Sequence, residues 1–212
     1  MTFLKRLMDL TCCLLITAVL WPVFIVVALT VLIRDGRPVF YLSERMKTPE
    51  TGFQLVKFRT MRVVSNDSGV SGGDKADRIT PTGRVLRRYR LDEMPQVWNV
   101  LRGDISFVGP RPPLRRYVEQ FPALYADVLK SRPGLTGLAT VAFHAREAEL
   151  LATCRTAEET EAVYTRRCVP AKARLDLIYA RNRTICLDIW LMLTTVFRRL
   201  PLAPGRQRPP NR

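Results

Sequence analysis

The segment LTCCLLITAVLWPVFIVVALTVLI, residues 10–33, is apolar almost without interruption. It is long enough for a membrane helix, which needs about 20 apolar residues. It is also longer than the core of a signal peptide, and no cleavage site followed by polar sequence stands after it, so we expect it to be retained. The sequence therefore predicts a fold organised around one membrane-embedded helix near its N-terminus.

Charged residues and a proline indicate how this helix meets the membrane. Lys5 and Arg6 precede the apolar segment, and Arg34 and Arg37 follow it. The positive-inside rule therefore has no asymmetry to act on, and both flanks are expected on the cytoplasmic side. Pro22 lies near the middle and removes a backbone donor, which predicts a kink. A helix that enters, bends and returns satisfies both observations, but an ordinary kinked spanning helix remains open.

The net charge of the chain indicates an anionic partner. Its 212 residues include 34 Lys and Arg against 19 Asp and Glu, a formal charge of +15. A phosphorylated substrate, an anionic lipid and nucleic acid all satisfy this balance. The five cysteines have no metal-binding spacing and are interpreted as free thiols. Because His144 is the only histidine, zinc sites and histidine-dependent nucleophiles lose support, and catalysis has to rest on carboxylates and cations.

The remainder of the chain indicates a mainly helical domain with short strands. Residues 38–40 and 53–58 are predicted strands, and 65–74 is a predicted loop. Thr80 followed by Pro81 predicts a helix start. Residues 185–200 are interpreted as an interfacial helix on the bilayer, with a buried core helix as the alternative. Further helices are expected at 81–90, 114–131, 145–152 and 157–183.

Two adjacent carboxylates, Asp92 and Glu93, stand among many cations in RVLRRYRLDEMPQVWNVLRGD, residues 84–104. We refer to them as the acidic pair. One such carboxylate can bind a divalent metal or attack phosphorus, while arginines neutralise phosphate oxygens. Asp92 could instead only cap a helix with Pro95 in its first turn and Gly103 at its end. The residues alone leave both interpretations open.

Read together, six segments make the chain resemble the monotopic phosphoglycosyl transferases, bacterial sugar transferases that initiate polysaccharide and glycoconjugate assembly. The resemblance covers nearly the whole chain, and its longest specific stretch is 91–112. The matching segments are KRLMDL (5–10), GRPVFYLSERM (36–46), FQLVKFRTM (53–61), RITPTGRVLRRYRLDEMPQVWNVLRGDISFVGPRP (78–112), RPGLTGLATV (132–141) and LDLIYARNRTICLDIWLMLTTV (175–196).

The resemblance implies an α/β fold that is mainly α-helical. Residues 1–36 would form a re-entrant membrane helix that breaks at Pro22, with both ends cytoplasmic. Residues 37–200 would form a compact cytoplasmic catalytic domain with interfacial amphipathic helices, and 201–212 a basic, Pro-rich, disordered tail. Family members commonly break the helix at a Ser-Pro pair, whereas Trp21 precedes the proline here.

The resemblance also implies the chemistry. A sugar 1-phosphate would move from a nucleotide sugar, with uridine the base expected from family habit, to a polyprenyl (undecaprenyl) phosphate. Asp92 would be the nucleophile and a Mg²⁺ ligand, and Glu93 its catalytic partner, in a two-step reaction through a covalent intermediate. Arg146 is carried over as a phosphate ligand, although ATVAFHAREAEL around it departs from the family pattern; His144 is interpreted as a surface histidine. The other phosphate or nucleotide contacts fall on Lys57, Arg59, Arg87, Arg111 and Pro112. Each of the four cations could instead be a solvated surface charge.

The implied partners are the nucleotide-sugar donor, the polyprenyl phosphate acceptor and membrane lipid, without nucleic acid; a homodimer is left open. The implied location is the cytoplasmic face of the bacterial inner membrane. A non-catalytic, membrane-anchored basic protein is the main rival, but it does not explain the acidic pair within basic helices. Polytopic phosphosugar transferases need many spanning helices, and only one such segment is present. Neither the sugar nor the glycan pathway follows from the sequence.

Overall fold

The computed structural model describes residues 2–63 and 78–197. The predicted loop at 65–74, the tail at 201–212 and the last residues of the predicted interfacial helix lie outside this range. Within it the chain is mainly helical, and its strands form two small two-stranded sheets. The predicted mainly helical fold with short strands is confirmed, and the domain boundaries stay predictions.

The N-terminal helix α1 extends over Phe3–Asp35. The Thr2 side chain caps it by accepting a hydrogen bond from the Lys5 amide, and Gly36 ends it with a φ of 78°. At 1.5 Å per residue α1 is about 50 Å long, and by length and composition it is able to cross a membrane. Its helical conformation continues through Pro22, so the re-entrant bend stays a prediction.

The first half of the domain contains the strands and helices that surround the acidic pair. Strands β1 (Phe40–Met46) and β2 (Gly52–Phe58) pair antiparallel. Helix α2 (Pro81–Tyr89), a 3₁₀ turn (Leu91–Glu93) and α3 (Gln96–Arg102) follow after the undescribed segment. The predicted strand at 53–58 is confirmed. The strand predicted at 38–40 exists, but its bounds are wrong, because pairing with β2 begins only at Phe40 and continues to Met46.

The second half contains β3 (Ser106–Val108), which pairs in parallel with β4 (Gly134–Thr136). The predicted helix at 114–131 is interrupted at Phe121, because Pro122 starts a new helix. The helix predicted at 145–152 begins earlier, at Leu138. The region 157–183 is helical with a π-helical turn, Tyr164–Cys168, inside it. The helices are α4 (Arg115–Gln120), α5 (Pro122–Val128), α6 (Leu138–Ala152), α7 (Ala157–Val163), α8 (Val169–Asn182) and α9 (Ile185–Phe197).

The N-terminal end of α1 is fastened to the domain by polar contacts. The Lys5 ammonium lies 2.5 Å from the Asp188 carboxylate on α9. Arg6 donates to main-chain carbonyl oxygens at the end of α3, at 2.7 Å. The Asp9 carboxylate accepts from the Ser106 hydroxyl at 3.0 Å. The KRLMDL segment is therefore a docking surface for the domain rather than a free membrane flank.

The C-terminal end of α1 packs on the same domain. Val27 and Val31 are buried in a cluster with Phe58 and Leu86. Between its two ends, most apolar side chains of α1 are exposed. The helix thus contacts the domain at both ends and presents an apolar middle.

Helix α9 divides its apolar residues between the core and the surface. Leu191 is fully buried in the main core cluster with Val100, Ile105 and Val108. Trp190 and neighbouring apolar residues on the other side are exposed. The sequence left two alternatives for this segment, an interfacial helix and a buried core helix, and each describes one face of α9. Its contact with a bilayer stays a prediction.

Candidate active site

A tight change of direction between α2 and α3 presents the acidic pair. Helix α2 starts at Pro81 with Thr80 as its cap, as predicted, and ends at Arg90, which adopts the left-handed conformation with φ of 58°. The chain then forms the 3₁₀ turn, and Pro95 is the N-cap of α3. The prediction that Asp92 caps this helix is wrong, because the turn places Asp92 outside it. Gly103 ends α3, as predicted.

Asp92 is buried but incompletely bonded. Only 8% of the residue is exposed. Its Oδ1 atom is buried without a hydrogen-bond partner in the part of the chain that the structure describes. Burial, and next the adjacent charge of Glu93, raise the pKa of Asp92, and nearby cations oppose this shift. A carboxylate oxygen is therefore available to a group that the protein itself does not supply.

Glu93 brings together cations from separate elements. Its Oε1 atom lies 2.8 Å from Arg90 Nη1, 3.5 Å from Arg111 Nη2 and 3.6 Å from Lys57 Nζ. Burial, and next the like charge of Arg111, lower the pKa of Lys57 to about 8. The carboxylate of Glu93 is the shared anchor that holds these positive charges beside Asp92.

Arg87 is held on the Asp92 side of the site. Its Nε atom donates to the Thr60 hydroxyl at 2.9 Å, and its charge partly opposes the rise in the pKa of Asp92. Gly83 allows α2 to approach this closely, since an added Cβ would lie 2.1 Å from the Thr60 carbonyl oxygen. The structure therefore brings Lys57, Arg87 and Arg111 together around the acidic pair.

The other residues predicted from the sequence lie elsewhere. Arg59 donates to the main-chain carbonyl oxygens of Asp35 and Gly36, where α1 ends. Arg146 is exposed on α6 and pairs with Glu149 at 3.0 Å. Pro112 is buried beside Arg111, and both residues line one small polar pocket. The structure does not bring Arg59 or Arg146 into contact with the acidic pair, and their phosphate roles stay predictions.

Two cavities flank the acidic pair. An apolar cavity of about 580 Å³ lies between the middle of α1 and the domain. It reaches Met94 and Pro95, which directly follow the acidic pair. A more polar cavity of about 440 Å³ is lined by Arg88, Arg90 and His144. His144 is exposed, as predicted, but faces this cavity. The apolar cavity is lined by Ile16, Thr17, Leu20, Trp21, Phe24, Ile25, Phe40, Val56, Met94, Pro95, Val97, Trp98 and Leu101.

The site suits a magnesium ion that is shared with a phosphorylated substrate. Among the described residues no three His, Cys, Asp or Glu side chains form a metal-binding group. Asp92 nevertheless offers a buried, unpartnered oxygen. Mg²⁺ commonly uses one or two carboxylates and completes its shell with phosphate oxygens and water. The donor set fits that mode of binding, with Asp92 as the protein ligand.

Sequence reasoning gave no role to two cations at the site. Arg90 is one, and the signal for it was present: it stands three residues before Glu93, within reach across a helical turn. Arg45 is the other, on β1, where its charge contributes to lowering the pKa of Lys57. No local pattern marks Arg45, because its position depends on how β1 packs against the distant GPRP segment.

Comparisons with known proteins identify relatives of this chain. The chain is 30% identical over 200 residues to a UDP-N-acetylgalactosamine-undecaprenyl-phosphate N-acetylgalactosaminephosphotransferase of Aeromonas hydrophila, covering 92% of this chain and 43% of the relative. It is 38% identical over 141 residues to a UDP-glucose:undecaprenyl-phosphate glucose-1-phosphate transferase of Caulobacter vibrioides, covering 65% and 53%. It is 32% identical to the uncharacterized sugar transferase EpsL of Bacillus subtilis, covering 97% and 91%.

The chain thus spans about half the length of the first two relatives and nearly all of the third. The profile of the bacterial sugar transferase family matches residues 1–201, which include α1, the acidic pair and the domain around it. The protein belongs to the bacterial sugar transferase family.

Proposed function

We propose that this protein transfers a sugar 1-phosphate from a UDP sugar to undecaprenyl phosphate, the first membrane step of a polysaccharide or glycoconjugate pathway. The observation that carries the proposal is Asp92, a buried carboxylate with an unpartnered oxygen among Lys57, Arg87, Arg90 and Arg111. Relatives named as UDP-sugar and undecaprenyl-phosphate transferases support this reaction class.

The first step is attack by Asp92 on the phosphorus that bears the sugar. A carboxylate oxygen forms a bond to phosphorus, and the bond from phosphorus to the bridging oxygen breaks. Uridine monophosphate leaves with that oxygen, and the phosphosugar remains on Asp92 as an acyl phosphate, a mixed anhydride. In the second step an oxygen of undecaprenyl phosphate attacks the same phosphorus, and the bond from phosphorus to the Asp92 oxygen breaks. The product is undecaprenyl diphosphate sugar, and the carboxylate is regenerated.

The surrounding cations make the approach of one anion to another feasible. A diphosphate repels a carboxylate unless positive charge screens the phosphate oxygens. Arg87 and Arg111 offer forked donors for such oxygens, and Lys57 adds a compact charge. Glu93 holds Lys57, Arg90 and Arg111 in place. Asp92 would be the protein ligand of a Mg²⁺ ion, which would add to the neutralisation of the diphosphate charge.

The position of α1 supports a catalytic domain on one membrane face. Lys5 and Asp9 contact the domain at one end of α1, and Val31 contacts it at the other. A helix crossing straight through the bilayer would require parts of this domain on both sides. We therefore propose the re-entrant arrangement, on the cytoplasmic face of the bacterial inner membrane. The apolar cavity beside α1 suits the undecaprenyl chain of the acceptor.

The reaction is tested by measuring release of uridine monophosphate from a panel of UDP sugars, with undecaprenyl phosphate and Mg²⁺. With donor alone, release should stop at about one equivalent per chain, since the intermediate then has no acceptor. Intact-mass analysis should show a phosphosugar adduct, and peptide mapping should place it on Asp92. Absence of release with every nucleotide sugar would instead favour a non-catalytic membrane-binding protein.

The membrane arrangement is tested by cysteine labelling at Thr2 and Gly36 in a variant that lacks the native cysteines. Both positions should react from the cytoplasmic side. Labelling from opposite sides would show a spanning helix. Pro22→Leu should move part of the population to the spanning arrangement, because the kink permits the return.

A further inference from the structure

A small polar pocket adjoins the acidic pair. It has a volume of about 60 Å³ and lies between β1, the GPRPP segment, the π-helical turn and α8. Such a volume holds several water molecules, and therefore a group of phosphate size. Its polar lining residues are Arg45, Arg111, Tyr117, Tyr125, Tyr164, Lys172 and Asp176.

Arg45 is an unpaired cation in this pocket. Its Nε atom is buried without a hydrogen-bond partner, and among the described residues its guanidinium group forms no ion pair. Burial, and next the like charge of Arg111, lower the pKa of Arg45 to about 10. Arg45 is half-buried, and a charge partly removed from water without a counter-ion is unfavourable unless a ligand neutralises it. Lys172, by contrast, pairs with Glu147 at 2.9 Å.

Arg111 connects the pocket to the reacting centre. It lines the pocket with Arg45, and its Nη2 atom lies 3.5 Å from Glu93. An anion between Arg45 and Arg111 would therefore lie beside the acidic pair. Two guanidinium groups that repel each other in the free protein are a suitable pair of donors for a phosphate group.

Strand β1 separates this cationic pocket from the apolar cavity. Phe40, at the start of the strand, lines the apolar cavity, and Arg45 lines the polar pocket. Five residues of extended chain span about 17 Å. The lipid chain of the acceptor fits the apolar cavity beside Phe40. The cationic pocket at Arg45 is then left for the water-soluble nucleotide-sugar donor.

We propose that Arg45, together with Arg111, binds a phosphate group of the nucleotide-sugar donor. The inference rests on the proposed function and adds a donor-binding residue to it. Arg45 supplies the forked donor, and the donor phosphate supplies the counter-ion that Arg45 does not have among the described residues. The ligand chemistry is a phosphate ester, from either the nucleoside side or the sugar side of the diphosphate.

The test compares Arg45→Gln, Arg45→Lys and the control Arg115→Gln. Arg115 is exposed and pairs with Glu44, the neighbour of Arg45 on β1, so its variant makes the same charge change outside the pocket. Arg45→Gln should raise the KM for the donor about tenfold or more and leave the KM for undecaprenyl phosphate unchanged. Arg45→Lys should recover part of this loss, and Arg115→Gln should behave like the wild type.

A binding measurement separates a ligand role from a structural one. Uridine monophosphate and a sugar 1-phosphate are added separately, and the rise in Tm is recorded. Arg45→Gln should lose most of the rise given by at least one of them, while its Tm without ligand equals or exceeds that of the wild type. A structural arginine would instead lower the Tm without ligand and leave the rise intact.

The outcomes distinguish the two proposals. If the wild type turns over and Arg45→Gln keeps its donor KM, the inference about Arg45 is wrong and the proposed function stands. If Arg45→Gln raises only the KM for undecaprenyl phosphate, the pocket binds the acceptor phosphate and the inference is also wrong. If the wild type releases no uridine monophosphate from any UDP sugar, the proposed function and this inference both fail.

Discussion

Two clusters of buried charge in this molecule differ in how completely they are bonded. Where α1 meets α9, the Lys5 ammonium lies 2.5 Å from Asp188, and the Tyr179 hydroxyl donates to the other oxygen of the same carboxylate at 2.6 Å. At the acidic pair, Asp92 is almost as buried but keeps one oxygen without a partner. Glu93 holds Lys57 at 3.6 Å, without a close hydrogen bond.

The difference is the one expected between a structural cluster and the proposed catalytic pair. A buried charge destabilises a fold unless partners satisfy it, and the side chains of Lys5, Tyr179 and Asp188 satisfy one another. The acidic pair leaves part of that compensation to a ligand, so its residues are not optimised for stability. The two clusters should therefore respond in opposite ways to removal of a charge.

The largest effect is expected for Asp92→Asn. Turnover should fall at least about a thousandfold, since covalent catalysis does not survive loss of its nucleophile. The Tm should stay the same or rise, because an incompletely bonded buried charge is removed. Release of uridine monophosphate and thermal unfolding in detergent measure the two effects. A folded variant that keeps more than a few per cent of the wild-type rate would contradict the assignment of Asp92.

Lys5→Ala should affect stability instead. It leaves Asp188 as a buried, uncompensated charge, which costs about 3 to 5 kcal/mol. For a chain of this size the Tm should fall by roughly 10 °C. Lys130→Ala is the matched control, because its pair with Asp127 has nearly the same length, 2.6 Å, but is exposed. Equal shifts in Tm for the two variants would remove the distinction between buried and exposed pairs.

Asp176 provides a third buried carboxylate, outside both clusters. Burial raises its pKa to about 7, and Lys172 partly opposes the shift. In the unfolded chain the carboxyl ionises near pH 4, so between about pH 4 and 7 the folded state binds the extra proton. Stability should therefore fall as the pH rises through this window, by as much as about 4 kcal/mol. Asp176→Asn should flatten the dependence of Tm on pH, and an unchanged slope would contradict it.

The smallest effect tests geometry within the active site. Arg87→Lys keeps the charge but loses the forked donor that Thr60 positions, and turnover should fall roughly tenfold, about 1.4 kcal/mol. Arg84→Lys, on the exposed surface of the same helix, is the control and should retain its rate. Arg88 is a poorer control because it lines the polar cavity. If both variants keep the wild-type rate, Arg87 is a surface cation.

The sequence was most informative where the signal is local. The apolar helix, the start of α2 at Pro81 and the end of α3 at Gly103 follow from continuous hydrophobicity and from capping residues. The resemblance to the sugar transferases predicted the catalytic role of the acidic pair. The structure brings Lys57, Arg87 and Arg111 around that pair.

What could not be predicted depends on contacts between distant segments. The pairing of β3 with β4 joins strands of three residues each, too short for a recognisable alternation. Gly134 is required there, since an added Cβ would lie 2.1 Å from the Gly109 amide nitrogen. Arg59 was expected at phosphate but binds carbonyl oxygens at the end of α1, which no local pattern indicates.

The docking of α1 has a consequence for how the protein is made. Lys5 pairs with Asp188, and Cys13 packs in the same core as Leu191, although both N-terminal residues are synthesised long before their partners on α9. The ribosome therefore synthesises α1 long before α9. The Lys5 side chain at the N-terminal end of α1 stays without its partner until α9 emerges. Deleting α1 should not yield a soluble enzyme, because it would remove part of the core together with the anchor.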